Sequence, residues 1–341
     1  MNASTSDAGF VGRGPLLAEA GALLAEGRHL TLSGLPGVGK SRLARVVAAQ
    51  PAARRGAHVV DLTPLRKAAL LPHTIAAAVG FDACDGRPVR DGVLSHLADR
   101  DVLLVLDNAE HLADACRVFV AELLWRCPGV RVLVTSRLPL RTAVERLLVV
   151  GPLSEEAAME LFLDRARAAA PGLVGTPLHD VLARSLCRRL DLLPLALELA
   201  AAKLSSLSLS ELEHALDTGD DLAPADCDPD RRPAHHHSLS TVLGRSHELC
   251  TPAQRLLWAR LSVFIGAFTA RDAEAVCADR LLPDVAGELG GLAEGSLLHG
   301  RAGAFWLPVT VRTYGMRLLV ALGESARQQA RYRAWRGRGG S

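Results

Sequence analysis

The chain has 341 residues, of which 49% are apolar and only 4% aromatic, and its formal net charge is +2. This length predicts about two or three domains. The apolar fraction excludes a disordered chain, and so small a net charge indicates no particular class of partner. No apolar run reaches transmembrane length and the N-terminus is polar, so we expect a cytoplasmic protein without a membrane partner. The seven cysteines form no C-x-x-C pair, which favours reduced thiols over disulfides or a zinc site.

Residues 34–41 read GLPGVGKS and are the most informative stretch of the chain. They fit the pattern G-x-x-x-x-G-K-[ST], whose glycines let backbone N–H groups turn toward phosphates. Lys40 would add a positive charge at the β- and γ-phosphates, and the Ser41 hydroxyl would bind Mg²⁺. Lys40 is one of only three lysines, so few chance matches are expected. The alternative is a glycine-rich turn that binds nothing, and we favour a nucleotide-binding loop.

The surrounding sequence predicts a parallel α/β sheet, because short β-rich runs alternate with helical stretches. The run 102–106 is apolar throughout, as expected of a strand covered on both faces, and it ends at Asp107. A carboxylate there lies at the sheet edge where ligands of such folds bind, so Asp107 is predicted to hold Mg²⁺ as in a Walker B strand. The alternative is an N-cap for a helix over 112–126. The candidate strands are 30–33, 58–62, 102–107, 131–135 and 147–150.

From residue 152 onward the pattern changes to helices, with a loop rich in Asp, Pro and Gly over 218–233. Three helices and a small hairpin follow this loop, which suggests a winged-helix unit. The last segment is helical at first and then becomes rich in Arg and Gly. The predicted helices are 153–170, 178–190, 195–204, 210–216, 238–249, 252–264, 271–277 and 281–292, and the predicted hairpin strands are 296–299 and 304–307.

Seven short motifs follow one another along the chain. They are VGR at 11–13, GLPGVGKS at 34–41, LVLDNAEHL at 104–112, RVLVTSR at 131–137, LPLALELAA at 193–201, RLLWARLSVF at 255–264 and TVRTY at 310–314. In content and order they resemble the NB-ARC-type ATPase core of the STAND class (signal-transduction ATPases with numerous domains). The resemblance is strongest to the version in bacterial LuxR-type and SARP-type transcriptional regulators.

The resemblance implies a site for ATP or ADP with Mg²⁺. Arg137 would contact the γ-phosphate, Pro194 would pack on the base, and the catalytic set would be Lys40, Asp107 and Arg137, with Ser41 and Asp107 as Mg²⁺ ligands. The residues implied to bind the nucleotide are Val11, Gly12, Arg13, Gly34, Gly37, Val38, Gly39, Lys40, Ser41, Arg42 and Pro194.

The chain also departs from the family pattern at several positions. The glycine that the family has before Leu193 or at it is absent, because residues 191–194 read DLLP. Residues 307–309 read LPV where two apolar residues and a glutamate are usual. The sensor histidine of the plant relatives has no counterpart. Relatives continue into a helical-repeat sensor and often a DNA-binding domain, and we expect neither within this sequence.

The expected architecture is an α/β P-loop NTPase of the ASCE/AAA-like type, followed by a helical lid and a winged helix. The expected function is an ATP/ADP switch with slow hydrolysis, because Asn108 stands directly after Asp107, where a water-activating carboxylate is usual. A protein partner or self-assembly is expected in the ATP state. The predicted parts are a nucleotide-binding domain at 1–152, a lid at 153–217, a linker at 218–233, a winged helix at 234–325 and a basic tail at 326–341.

Two alternatives for the function remain open. The chain could be a non-hydrolysing partner or inhibitor of a full-length regulator, or it could bind DNA through the winged helix and the tail arginines 327, 331, 333, 336 and 338. We favour a solvated end for that tail, a solvated helix entry for His235–His237 rather than a metal site, and a helix start for Glu110 and His111 rather than acid–base catalysis.

Overall fold

A computed structural model describes residues 10–50, 56–82, 87–171, 177–218 and 239–337. The chain divides into two compact units. The first contains Met1–Leu35 and Gly39–Gly151, and the second contains Pro36–Val38 and Pro152–Ser341. The predicted linker at 218–233 and His235–His237 fall almost wholly outside the described residues.

The first unit is built on a five-stranded sheet in the order β2-β3-β4-β1-β5, and every pair of neighbouring strands is parallel. Strands β1 and β3 are buried at every position, whereas the edge strands β2 and β5 are partly exposed. The predicted parallel α/β sheet is therefore confirmed, since each predicted strand overlaps one of the observed strands. These are β1 His29–Ser33, β2 Ala57–Asp61, β3 Leu103–Asp107, β4 Arg131–Thr135 and β5 Glu145–Val149.

Five α-helices accompany this sheet among the described residues of the first unit. The helix after the phosphate-loop motif begins at Lys40, and the helix after β3 begins at Ala113, preceded by a 3₁₀ turn over Glu110–Leu112. Leucine, valine and phenylalanine side chains from the helices and strands form one apolar core. The helices are α1 Gly14–Glu26, α2 Lys40–Ala49, α3 Leu71–Val79, α4 Val89–Leu97 and α5 Ala113–Arg126.

The second unit begins with a group of four helices. The Ser154 hydroxyl accepts a hydrogen bond from the Ala157 N–H at 3.2 Å and so caps the first of them, as the serine and the acidic first turn predict. Pro194 is the first residue of the third helix, a position where its missing N–H costs nothing. The four helices are α6 Glu155–Ala169, α7 Pro177–Arg189, α8 Pro194–Lys203 and α9 Leu209–Thr218.

Six further helices and a three-stranded antiparallel sheet in the order β6-β8-β7 complete the described part of the second unit. The predicted hairpin is present as β7 and β8, and β6 is an addition that the sequence did not predict. Trp258 lies at the centre of the apolar core, where its indole N–H donates to the Val311 carbonyl at 2.9 Å. The elements are α10 Leu239–Leu249, α11 Pro252–Leu261, β6 Phe268–Thr269, α12 Ala270–Cys277, α13 Val285–Glu294, β7 His299–Arg301, β8 Ala304–Trp306, α14 Val309–Ala321 and α15 Ser325–Arg336.

Asp191 ties two parts of the second unit together. Its carboxylate accepts hydrogen bonds from the N–H groups of Val309 and Thr310 at 2.7 and 2.8 Å, at the N-terminus of α14. Burial raises the pKa of Asp191, and these hydrogen bonds oppose that rise. Asp191 and Leu192 both have a left-handed backbone, with φ of 57° and 54°. A conformation that glycine adopts readily is thus imposed here on an aspartate and a leucine.

The basic C-terminal segment is helical over the residues of α15 and packs within the second unit. Arg327 pairs with Asp279 at 3.1 Å, and Arg331 donates to the Ala278 carbonyl at 2.7 Å. The Trp335 ring contacts the Phe264 ring edge to face, with 5.4 Å between the ring centroids. Two of the arginines predicted to lie in a solvated end are therefore engaged in internal contacts.

Candidate nucleotide site

The glycine loop joins β1 to α2 and has the backbone that its sequence requires. Gly34, Gly37 and Gly39 have φ of 144°, 77° and 99°, a region that side-chain-bearing residues rarely adopt. The Lys40 ammonium donates to the carbonyls of Gly34 and Leu35 at 2.7 and 3.0 Å. These bonds hold the ammonium against its own loop.

The environment of Lys40 is buried and charged. Burial lowers its pKa to about 8, Glu110 and Asp107 oppose that change, and Arg137 adds to it. Three charged side chains from the ends of β3 and β4 therefore act on the same ammonium group. The structure brings together Lys40, Asp107 and Arg137, the three residues predicted to be catalytic.

Asp107 is the last residue of β3 and is 1% exposed. Its Oδ1 atom accepts a hydrogen bond from the Thr135 hydroxyl at 2.5 Å, and the Arg45 guanidinium lies 3.5 Å from Oδ2. Within the described residues, Oδ2 has no hydrogen-bond partner. An N-cap role is wrong, because no helix begins at Asp107 and α5 starts only at Ala113. A buried carboxylate oxygen left in this state is suited to a cation.

Asn108, directly after Asp107, has a left-handed backbone with φ of 62°. Its N–H donates to the Thr135 hydroxyl at 2.8 Å, and its side-chain amide donates to the Thr63 hydroxyl at 3.0 Å. The side chain is thereby committed to a neighbouring loop. No sequence pattern singles out Thr135 as the partner of Asp107 and Asn108, although the strand register puts the ends of β3 and β4 side by side.

Glu110 is expected from the sequence to be a helix-start residue, but the structure also places it in an ion pair at the candidate site. It begins the 3₁₀ turn, as a helix-start residue would, but its Oε1 atom also lies 3.3 Å from the Arg137 guanidinium. His111 points elsewhere, and its ring is hydrogen-bonded to the Leu65 carbonyl at 2.8 Å. Glu110 could have been suspected from the neighbouring ends of β3 and β4, but its alignment with Arg137 depends on the turn geometry.

The other predicted binding residues are distributed over several segments. Ser41 and Arg42 lie in the first turn of α2, and Val38 is fully buried in the loop. The Arg13 guanidinium, after Val11 and Gly12, donates to the Gly151 carbonyl at 2.7 Å, and burial lowers its pKa.

Pro194 begins α8, and the next residue of that helix, Leu195, contacts Gly37 of the glycine loop. The loop residues Pro36–Val38 belong to the second unit. The Leu195 N–H donates to the Gly37 carbonyl at 3.2 Å. A Cβ atom at Gly37 would lie 3.0 Å from the Leu195 Cβ, so the glycine also permits this close approach. The structure thus places Pro194 one residue from a contact with the phosphate-loop motif.

The residues present fit a nucleotide and a divalent cation. The loop offers backbone N–H groups and an ammonium, and two buried carboxylate oxygens, Asp107 Oδ2 and Glu110 Oε2, have no hydrogen-bond partner in the described part of the chain. Over the same residues, no group of three His, Cys, Asp or Glu side chains could hold a metal by itself. A cation here would therefore need oxygens from the nucleotide or water as well.

Comparison with known proteins agrees with this geometry. A family model described as an AAA domain matches residues 24–142. A Walker-type ATPase of Pyrococcus abyssi superposes with a TM-score of 0.62 at 12% identity, covering 89% of this chain and 95% of that one. At this identity the likeness shows the fold alone. None of the described helices is long and apolar enough to span a membrane.

Two proteins of Mycobacterium tuberculosis are similar in sequence. "Putative HTH-type transcriptional regulator Rv0890c" is 37% identical over 314 residues, covering 89% of this chain and 35% of that protein. The chain therefore spans about a third of the length of this regulator. "Uncharacterized protein Rv0894" is 35% identical over 335 residues, covering 95% of this chain and 84% of that protein. The chain thus belongs to the same family as Rv0894, is related to proteins named as transcriptional regulators, and has the AAA-type P-loop ATPase fold.

Proposed function

We propose that this protein is an ATP/ADP-controlled regulatory switch of the NB-ARC type within the STAND class, with slow ATP hydrolysis. The observation that supports this most is the cluster of Lys40, Asp107, Glu110 and Arg137 beside the glycine loop, with two carboxylate oxygens left without hydrogen-bond partners. Phosphoryl-transfer sites work mainly by positioning and by neutralising charge, and this cluster contains the groups for both.

In this proposal each predicted residue has a stated role. The backbone of Gly34, Gly37, Val38 and Gly39 and the side chains of Lys40 and Arg42 hold the phosphates, and Ser41 with Asp107 holds Mg²⁺, which would neutralise phosphate charge. Val11, Gly12, Arg13 and Pro194 lie on the adenine side, and Arg137 meets the γ-phosphate.

Slow hydrolysis is supported by the position directly after Asp107. Asn108 stands there, and its amide is hydrogen-bonded to Thr63. Its NH₂ group is thereby engaged with a neighbouring loop, and an amide is not a base at neutral pH. A slowly hydrolysing site suits a switch whose two states differ in the nucleotide bound.

The remaining parts of the proposal concern the second unit and its partners. The four helices α6–α9 serve as a lid, and α10–α14 with the small sheet form a winged helix, with domain limits at 152, 217, 233 and 325. A protein partner or a second copy binds in the ATP state. Direct DNA binding is the weaker candidate, because Arg327 and Arg331 are already engaged within the unit.

Replacing Lys40 tests the proposal, and the composition supplies a matched control. Lys67 is exposed and is another of the three lysines. We expect the purified protein to release ADP on denaturation, as identified by chromatography, and Lys40→Ala to bind ADP and ATP about 100-fold more weakly, because charge-assisted bonds to the phosphates are lost. Lys67→Ala should bind normally. Equal affinities for the two variants would contradict the site.

A further inference from the structure

The ion pair between Glu110 and Arg137 is buried but incomplete. The exposed fractions of the two side chains are 11% and 9%, and the Arg137 Nε atom lies 3.3 Å from Glu110 Oε1. Only one of the two Glu110 oxygens has a partner, since Oε2 is buried without a hydrogen bond among the described residues. An ion pair in this state has not recovered the full cost of removing the carboxylate from water.

Both members of the pair lie beside the phosphate-binding lysine. Apart from burial, Glu110 has the largest effect on the pKa of Lys40, followed by Arg137. A lysine in this motif reaches the β- and γ-phosphates of a nucleotide. Arg137 and Lys40 are therefore two neighbouring cations, and the terminal phosphate of a nucleoside triphosphate bound by the loop is an anion that both would attract.

We propose that Glu110 is a positioning residue that holds Arg137 and competes with the γ-phosphate for it, so that this ion pair sets the preference of the site for ADP over ATP. This inference rests on the nucleotide site proposed above. ADP has no γ-phosphate, so its binding leaves the pair intact. ATP must draw Arg137 from Glu110, and part of its additional binding energy is used to break that contact.

The role of Glu110 differs from that of a general base. Its effect is exerted through Arg137, and it changes the relative affinity for two nucleotides rather than the affinity for both. A merely structural residue would change both affinities by the same factor. The ratio of the two dissociation constants is therefore the informative quantity.

The experiment compares the wild type with Glu110→Gln, which keeps the shape and a hydrogen-bond acceptor but removes the charge. The dissociation constants of ADP and of the non-hydrolysable ATP analogue adenylyl imidodiphosphate are measured by titration calorimetry with Mg²⁺. We expect the ratio of the analogue constant to the ADP constant to fall about tenfold in the variant. Glu122→Gln is the control, because Glu122 is in an ion pair with Arg126 on α5 and should leave the ratio unchanged.

Two further variants keep the test decisive. Glu110→Asp shortens the carboxylate and should move the ratio in the same direction by less, which is the measurement to use if Glu110→Gln fails to fold. The double variant Glu110→Gln/Arg137→Gln should lose the relative gain in affinity for the ATP analogue that Glu110→Gln shows. A ratio within twofold of the wild type in both single variants overturns the inference while leaving the nucleotide site standing. Failure of the wild type to bind either nucleotide would overturn the proposed function instead, and this inference with it.

Discussion

The molecule contains two buried arginine clusters that differ in how fully their hydrogen bonds are made. In the second unit, Arg260 is fully buried and donates to both oxygens of Glu324, at 2.8 and 3.0 Å, to Asp279 at 2.9 Å and to the Cys277 carbonyl at 2.9 Å. In the first unit, Arg137 faces Glu110, and carboxylate oxygens of Glu110 and Asp107 lack hydrogen bonds among the described residues.

This difference distinguishes a structural network from a binding site. A buried network stabilises a fold when every donor and acceptor has a partner, and each unmatched oxygen costs free energy. The Asp279 carboxylate illustrates the first case, since its Oδ1 atom accepts from the N–H groups of Leu281 and Leu282 and its Oδ2 atom from Arg260 and Arg327. The carboxylate oxygens of Glu110 and Asp107 that lack hydrogen bonds in the described part of the chain destabilise the first unit, and a bound cation or nucleotide would offset that effect.

The largest effect predicted from this comparison is on stability, at Arg260. Arg260→Met removes the guanidinium from Glu324 and Asp279 and leaves the Glu324 carboxylate without that ion pair, so it should lower the free energy of unfolding by about 3–5 kcal/mol, as measured by urea titration. Arg333→Met is the control, because Arg333 is exposed and its guanidinium makes a weak hydrogen bond, at 3.4 Å, to the Gln329 carbonyl of its own helix α15. A loss at Arg260 no greater than that at Arg333 would mean that the network does not stabilise the unit.

The Arg260 network in the second unit can also be tested through the pH dependence of stability. The hydrogen bond from Arg260 lowers the pKa of Asp279 from 3.8 to about 2. Because the folded-state pKa is the lower one, this carboxylate stabilises the fold above pH 3.8, and the contribution is lost as the pH falls toward 2. The difference in urea midpoint between the wild type and Asp279→Asn should therefore narrow from pH 5 to pH 3. A constant difference would indicate that the charge of Asp279 is unimportant.

The smallest effect on stability, with the opposite sign, is expected at Asp107. Asp107→Asn removes a buried charge whose Oδ2 atom has no hydrogen bond among the described residues. The ion pair lost with it is weak, because the Arg45 guanidinium lies 3.5 Å away on a side chain that is 54% exposed, so the nucleotide-free protein should gain about 1 kcal/mol in unfolding free energy. The variant should also bind ADP with an affinity that no longer depends on Mg²⁺, whereas EDTA should weaken ADP binding to the wild type. Clear destabilisation without nucleotide would place Asp107 with the structural networks.

Much of the fold could be predicted from local patterns. The glycines of the phosphate-loop motif have the positive φ angles that the motif requires, and the apolar run before Asp107 forms a fully buried strand. The hairpin in the second unit is predicted near its observed position because two short runs flank residues 301–303. In the structure, Ala302 and Gly303 of that turn have positive φ. The limits of the predicted domains remain predictions.

The sheet, the glycine loop and the position of Lys40 and Asp107 at the carboxyl edge of the sheet could all be recognised from the amino-acid sequence. Each of these features depends on residues that are neighbours along the chain. Only the folded structure shows which distant residues become hydrogen-bond partners. Thr135 reaches Asp107 across 28 positions, and Asp191 reaches Val309 across 118. The tertiary structure also imposed a left-handed backbone on Leu192, a conformation that leucine rarely adopts. The physical reason is that hydrogen bonds between distant segments depend on strand register and packing, which no local pattern specifies.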